Sequence, residues 1–269
     1  MAFRTLSQIG LAGLLTLACH SFANAQLRIN EFLINPPGSD NGYEFIELIS
    51  NTPNYSLNNV WLLVVEGEGT ARGVVDQAIN YTGFSTGSNG LLLHRDSNIT
   101  LLPPPDPSTT VRVQDFVPDI ENGGQTYILA LGFTGAVGLD LDTNNDGVLD
   151  LTPWTSVFDA IFYSEDLPNP LSANYADDLG GTSFAQQIFT PDAYALLPDG
   201  TKIAFDVLSA SPVGPFDIDP AEVITATGAP FRGSYRLTPG SANVPEPGVM
   251  ALIAGLGVTG LLALRRRKA

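Results

Sequence analysis

The sequence predicts an all-β sandwich. Long helical periodicity is absent, and clusters of Gly, Pro, Asn and Asp punctuate the chain about every ten to fifteen residues, the spacing of strands joined by turns. The run Val60-Trp61-Leu62-Leu63-Val64-Val65 is apolar on both faces, as a central strand covered on each side requires.

The elements follow in order. Residues 27–34 form a first strand that alternates apolar and polar positions, and residues 44–50 a second. Between them Pro36-Pro37-Gly38-Ser39-Asp40-Asn41-Gly42 makes a turn, because its Pro and Gly residues preset backbone angles that a strand does not hold. Residues 60–66 give the doubly covered third strand, and further strands are expected at 90–94, 127–133, 157–163 and 203–207. Between residues 166 and 200 the pattern weakens among Pro168, Pro170, Gly180, Gly181 and Pro191, and an elaborated loop region is expected there, with no second core. Period two places Glu31 on the face of Leu27, Ile29 and Leu33, and Glu47 on the face of Phe45 and Ile49. A carboxylate that interrupts an apolar face needs backbone donors, an Arg or a metal to offset its desolvation. Structural hydrogen bonding, metal ligation and catalysis all remain open for this pair.

The sharpest chemical signal is Asp142-Thr143-Asn144-Asn145-Asp146-Gly147-Val148-Leu149-Asp150, a D-x-N-x-D-G-x-x-D pattern. Oxygen side chains at loop positions one, three and five, Gly at six and an acid at nine turn alternate oxygens toward one hard cation, as in an EF-hand-type loop. Asp142, Asn144 and Asp146 would give side-chain oxygens, Val148 its backbone carbonyl, and Asp150 a direct or water-mediated contact to calcium. Position twelve is Pro153 where an EF-hand has Glu, so Asp140, Asp159 or Glu165 would complete the shell. No helical pattern flanks the loop, which therefore resembles the helix-free, dockerin-like calcium loops of exported bacterial proteins. The alternative is an Asn/Asp-rich turn.

Both ends carry sorting chemistry. Arg4, the apolar stretch 9–18 and Ala23-Asn24-Ala25 form a signal peptide over residues 1–25, with cleavage expected before Gln26. Cys19 leaves with it, so the exported part has no thiol for a disulfide, nucleophile or zinc site. At the other end, Pro245-Glu246-Pro247 precedes an uncharged apolar run, 248–264, and then Arg265-Arg266-Arg267-Lys268. A run of about 17 residues spans roughly 25 Å as a helix, enough for a short single transmembrane crossing, with the basic cluster held on the cytoplasmic side. Of twelve basic and twenty-eight acidic residues, removal of Arg4, the four tail cations and Glu246 leaves seven and twenty-seven, a balance of −20. Such a field repels phosphate backbones and attracts divalent cations, so no nucleic-acid partner is expected; solubility explains the charge equally well.

No G-x-x-x-x-G-K-[ST] phosphate loop or HExxH occurs, and His94 is the one histidine between the two processed ends, read as a surface residue at a strand edge. An aromatic sugar platform would have to use Trp154, Tyr163 or Tyr175, while Trp61 belongs to the core.

The tail resembles the PEP-CTERM sorting signal of Gram-negative bacteria, in residues 244–268. The resemblance implies removal of the tail by an exosortase-type enzyme, passage through the inner membrane, and delivery to the cell surface or an exopolysaccharide or biofilm matrix. A permanent single-span anchor is the competing reading. In the body, Ile29-Asn30-Glu31, Glu44-Phe45-Ile46-Glu47-Leu48-Ile49-Ser50-Asn51 and Thr238-Pro239-Gly240-Ser241-Ala242-Asn243 stand in the order of the corresponding lamin tail domain segments. That resemblance implies an immunoglobulin-like β-sandwich over residues 26–243, with long loop insertions around 102–120, 140–154 (the calcium loop at about 140–153) and after 163. The expected protein is an exported, non-enzymatic surface or matrix component that holds structural calcium. The alternative is a calcium-dependent extracellular hydrolase acting on polysaccharide through Glu31, Glu44 or Glu47.

Overall fold

The computed structural model describes residues 26–39, 41–208 and 212–243. The stretch expected as a signal peptide, residues 1–25, and the one expected as a sorting signal, Pro245, Glu246, Pro247, Arg265, Arg266 and Arg267 included, lie outside the described residues.

Twelve strands and one helical turn occur among the described residues. They are β1 (Leu27–Leu33), β2 (Phe45–Ser50), β3 (Val60–Glu66), β4 (Val75–Asn80), β5 (Leu91–Arg95), β6 (Thr110–Val113), β7 (Gln125–Leu131), β8 (Ser156–Tyr163), α1 (Tyr175–Asp178), β9 (Thr182–Ser183), β10 (Ala193–Leu196), β11 (Lys202–Val207) and β12 (Ile218–Thr225). One sheet has the order β12-β11-β10-β1-β2-β5-β6, and the other β4-β3-β7-β8-β9. Pairing is antiparallel except for β5 with β6 and β8 with β9.

The two sheets close over a shared apolar layer. Ile29, Phe32, Ile46, Leu48, Leu92 and Tyr194 from the first meet Leu62, Val64, Tyr127, Leu129, Ile161 and Tyr163 from the second. Phe32 sits at its centre, with ring centroids 4.6 Å from Tyr127 and 5.2 Å from Tyr194. Offset aromatic pairs add about 0.5–1.5 kcal/mol each beyond their area.

Each sheet is also covered on its outer face, so the chain builds four layers. On the five-stranded sheet, Leu63, Val65, Ile128 and Ala130 point outward under Phe133, Leu141, Ala173 and Tyr175. This is why β3 has no polar face. Trp61 lies in the same layer, edge-on to Phe133 at 5.6 Å. On the seven-stranded sheet, Leu33, Phe45, Ala195 and Phe205 pack under Ile99, Leu101, Phe216, Tyr235 and Leu237.

The region 166–200 departs from its reading as loop. It contains α1, β9 and β10, and all four residues of β10, Ala193-Tyr194-Ala195-Leu196, are buried between β1 and β11. Four residues are too few for a periodic signal, and two alanines dilute the β-propensity. β4, β6 and β12 carry polar residues at partly exposed positions and were equally silent in the pattern.

Candidate functional site

β1 carries a bulge that re-aims its side chains. Ile29 pairs with Leu48 and Glu31 with Glu47, leaving Asn30 as the extra residue. The period therefore slips: Leu27 and Ile29 face the inter-sheet core, while Glu31 turns with Leu33 to the outer face. Glu31 accordingly does not share a face with Leu27 and Ile29, as strict alternation had placed it. Glu47 does share one with Phe45 and stands directly opposite Glu31 across the β1–β2 ladder. Both glutamates are wholly buried.

The segment that covers them is the closing turn 238–243. Thr238 N donates to Glu31 Oε1 at 2.9 Å, the Tyr235 hydroxyl to Glu31 Oε2 at 2.8 Å, and Gly240 N to Glu47 Oε2 at 2.5 Å. Asn30 Nδ2 donates to Glu47 Oε1 at 2.5 Å. The Asn30 and Asn243 amides also pair reciprocally, at 3.2 and 3.3 Å, and Asn243 Nδ2 reaches the Leu196 carbonyl at 2.8 Å. Gly240 has φ +79°, and a Cβ there would stand 2.4 Å from Pro105 Cβ, so both backbone and space call for glycine. Three segments far apart in sequence thus meet as one polar clasp. Burial, and for Glu47 also the charge of Glu31, push both carboxyls upward, Glu31 to about 8.

The loop at 142–150 is closed by its own oxygens. Asp142, wholly buried, accepts Asp146 N through Oδ1 at 3.1 Å and both Gly147 N and the Tyr175 hydroxyl through Oδ2 at 2.8 Å. Asn144 Oδ1 accepts Asp146 N at 2.9 Å, Asp146 Oδ1 accepts Val148 N at 3.0 Å, and the Thr143 hydroxyl donates to Asp150 Oδ2 at 2.6 Å. Gly147 takes φ +85° and Asn145 +58°, so the tight turn falls where the motif put it. The Val148 side chain points to solvent. Of the three acids considered for completing a calcium shell, Asp140 stays at the loop, its Oδ1 accepting Asp142 N at 3.0 Å. Asp159 points to the inner face of β8, where it accepts Ile29 N at 3.1 Å and pairs with Lys202 at 3.6 Å; Glu165 interacts with Glu68. An acid not foreseen, Asp178 at the end of α1, accepts Leu149 N at 2.8 Å.

This chain matches no family model, no curated protein and no solved structure. Its chemistry is therefore read from its own residues.

His94 departs from its surface reading. It is 2 % exposed, its Nδ1 lies 3.2 Å from the Tyr81 hydroxyl and its Nε2 3.0 Å from the Gln114 carbonyl. Burial, and secondarily the Arg112 charge, push its pKa down to about 3, so the ring is neutral. Tyr163 and Tyr175 are also buried and present no stacking face to a sugar, whereas Trp154 packs partly buried over the outer layer. Glu44 is buried too, its Oε2 accepting Ile120 N at 3.2 Å.

Among the described residues, one group of three carboxylates brings its oxygens within 4.8 Å of one another: Glu66, Asp76 and Glu121, at the β3–β4 end of the second sheet. Sequence reasoning missed it because the three are up to 55 positions apart and belong to no linear motif.

Proposed function

We propose that this chain is an exported, non-enzymatic component of the cell surface or extracellular matrix, sorted by an exosortase-type enzyme and built on an enlarged, immunoglobulin-like sandwich of the lamin tail kind that holds structural calcium. The observation that carries the reading is the order of parts from residue 245: Pro-Glu-Pro, an apolar span, then the arginine cluster. The body supports it. The three segments that resemble the lamin tail domain converge on the Glu31–Glu47 clasp, which makes physical sense of their acidic, amide and Thr-Pro-Gly residues as one hydrogen-bonded unit. The same geometry favours a structural over a hydrolytic use of Glu31, Glu44 and Glu47, because all three are sealed from solvent and accept protein donors. A calcium ion at Asp142–Asp150 would fasten the insertion 140–154 to the outer face of β3 and β7, where Leu141 already packs.

The test is expression of the full chain in a Gram-negative host with and without an exosortase-type enzyme, read by fractionation and mass spectrometry of the C-terminus. The expected outcome is a surface or medium fraction lacking residues beyond the Pro-Glu-Pro region, and retention in the inner membrane with an intact tail for Glu246→Ala. An intact tail in the parent, in the presence of the enzyme, overturns sorting by cleavage.

A further inference from the structure

The end of the β3–β4 hairpin gathers carboxylates that no ion pair among the described residues balances. Glu66 closes β3, Asp76 lies on β4, and Glu121 enters on the loop before β7. Asp76 owes its place to a bulge: Val64 pairs with Gln77 and Val65 with Val75, so Asp76 is the extra residue and its side chain leaves the regular alternation. The loop that carries Glu121 is pinned to the hairpin. Gln77 Nε2 donates to the Pro118 carbonyl at 2.5 Å, Gly67 N to the Gly124 carbonyl at 3.0 Å, and Gly124 N to the Glu68 carboxylate.

A second observation is independent of the acids. A cleft of about 230 Å³ opens between β4, the loop 118–121 and Gly138, and Gln125 lines it together with Asp76 and Glu121. Gln125 is 1 % exposed and stands opposite Glu66 in the β3–β7 ladder. Its Oε1 accepts the Tyr127 hydroxyl at 3.2 Å, but its Nε2 has no partner, and neither has the buried Oδ2 of Asp76. A buried amide edge left unmet forfeits the hydrogen bond it made to water, so it marks a place where something else belongs. Rotating the amide by half a turn resolves this: Tyr127 then accepts from Nε2 and donates to Tyr163, whose hydroxyl is 3.2 Å away, and Oε1 turns to the cleft.

We propose that Glu66, Asp76, Glu121 and the Gln125 amide oxygen form a calcium site distinct from the 142–150 loop, whose ion locks the 118–124 loop onto the β3–β4 hairpin. The set is all oxygen, which selects a hard cation over zinc or copper. Its ligands sit on a strand end, a bulge and a loop, an irregular arrangement that suits calcium better than the strict octahedron of magnesium. Burial and mutual repulsion already hold the Glu66 and Asp76 carboxyls up, at about 7 and about 6, and a divalent charge relieves both.

The experiment is calorimetric titration of the full-length chain in detergent with calcium chloride alone, for the parent, Asp146→Ala, Glu121→Gln and Asp76→Asn, with magnesium as the comparison and circular dichroism to verify folding. Glu121 is exposed, so its substitution leaves the core untouched. The expected result is a calcium-binding event that survives Asp146→Ala and is weakened about tenfold or more by Glu121→Gln and by Asp76→Asn, with magnesium binding more weakly. Loss of all calcium binding in Asp146→Ala, or unchanged calcium binding in both Glu121→Gln and Asp76→Asn, overturns the proposal. Failure of the 142–150 loop to bind is read separately, as a parent and an Asp146→Ala protein that titrate alike.

Discussion

Glu31 and Glu47 face each other across β1 and β2 with no ion pair to either among the described residues, and at this scale charge decides the outcome. Four donors favour ionised carboxylates, but full burial and like charge favour protons, and the second pair of effects prevails. In the unfolded chain both titrate near 4.5, so between pH 4.5 and about 8 the folded state holds more protons than the unfolded one. Stability from this pair is therefore complete below about pH 4.5 and falls as pH rises towards 8. Chemical denaturation in chelator should show a loss on the order of 4 kcal/mol from pH 5 to pH 8, the worth of about three pKa units. Glu31→Gln should reduce that slope; Glu66, Asp76 and Asp206, also raised, keep part of it. A pH-independent stability across this range would mean the pair is ionised in the fold.

At the scale of elements, the 142–150 loop contains two kinds of aspartate that a linear motif treats alike. Asp142 is buried and accepts three donors, whereas Asp146 is exposed and accepts Val148 N and the Asn144 amide. In chelator, Asp142→Ala should cost about 3 kcal/mol in thermal or urea unfolding, because it leaves the Tyr175 hydroxyl and the Gly147 amide unmet, while Asp146→Ala should cost less than about 1 kcal/mol. In saturating calcium both losses should grow, since each variant removes a ligand and forfeits the ion's contribution, and the gap between them should persist. Equal losses for the two variants in chelator would show that the Asp142 hydrogen bonds are worth little. The loop's turn geometry was legible in the sequence because Gly147 and Asn145 encode it locally. β10 was not legible, since its identity as a central strand depends on pairing with β1 from the far end of the chain as well as with the adjacent β11.

For the whole molecule, the balance of −20 over residues 26–243 acts as a distributed repulsion. Only two ion pairs occur among the described residues, Lys202–Asp159 and Arg236–Asp217. Raising sodium chloride from 20 to 200 mM shortens the screening length from roughly 20 to 7 Å and should raise the melting temperature by a few degrees. Millimolar calcium at fixed ionic strength should raise it further, and a melting curve indifferent to both would contradict an electrostatic burden on the fold.

By itself the sequence determined the sandwich class, the doubly covered third strand, the local turn at Gly147 and the acidic balance. These depend on composition and on periods of two, which short range makes visible. Strand pairing and packing alone make Asn30 a bulge, turn Glu31 outward beneath residues 238–243, bury His94, and bring Glu66, Asp76, Glu121 and Gln125 to one corner. A one-residue slip in register exchanges the faces of everything after it, and convergence of acids from separate strands leaves no spacing to read, so neither exists until the chain has paired.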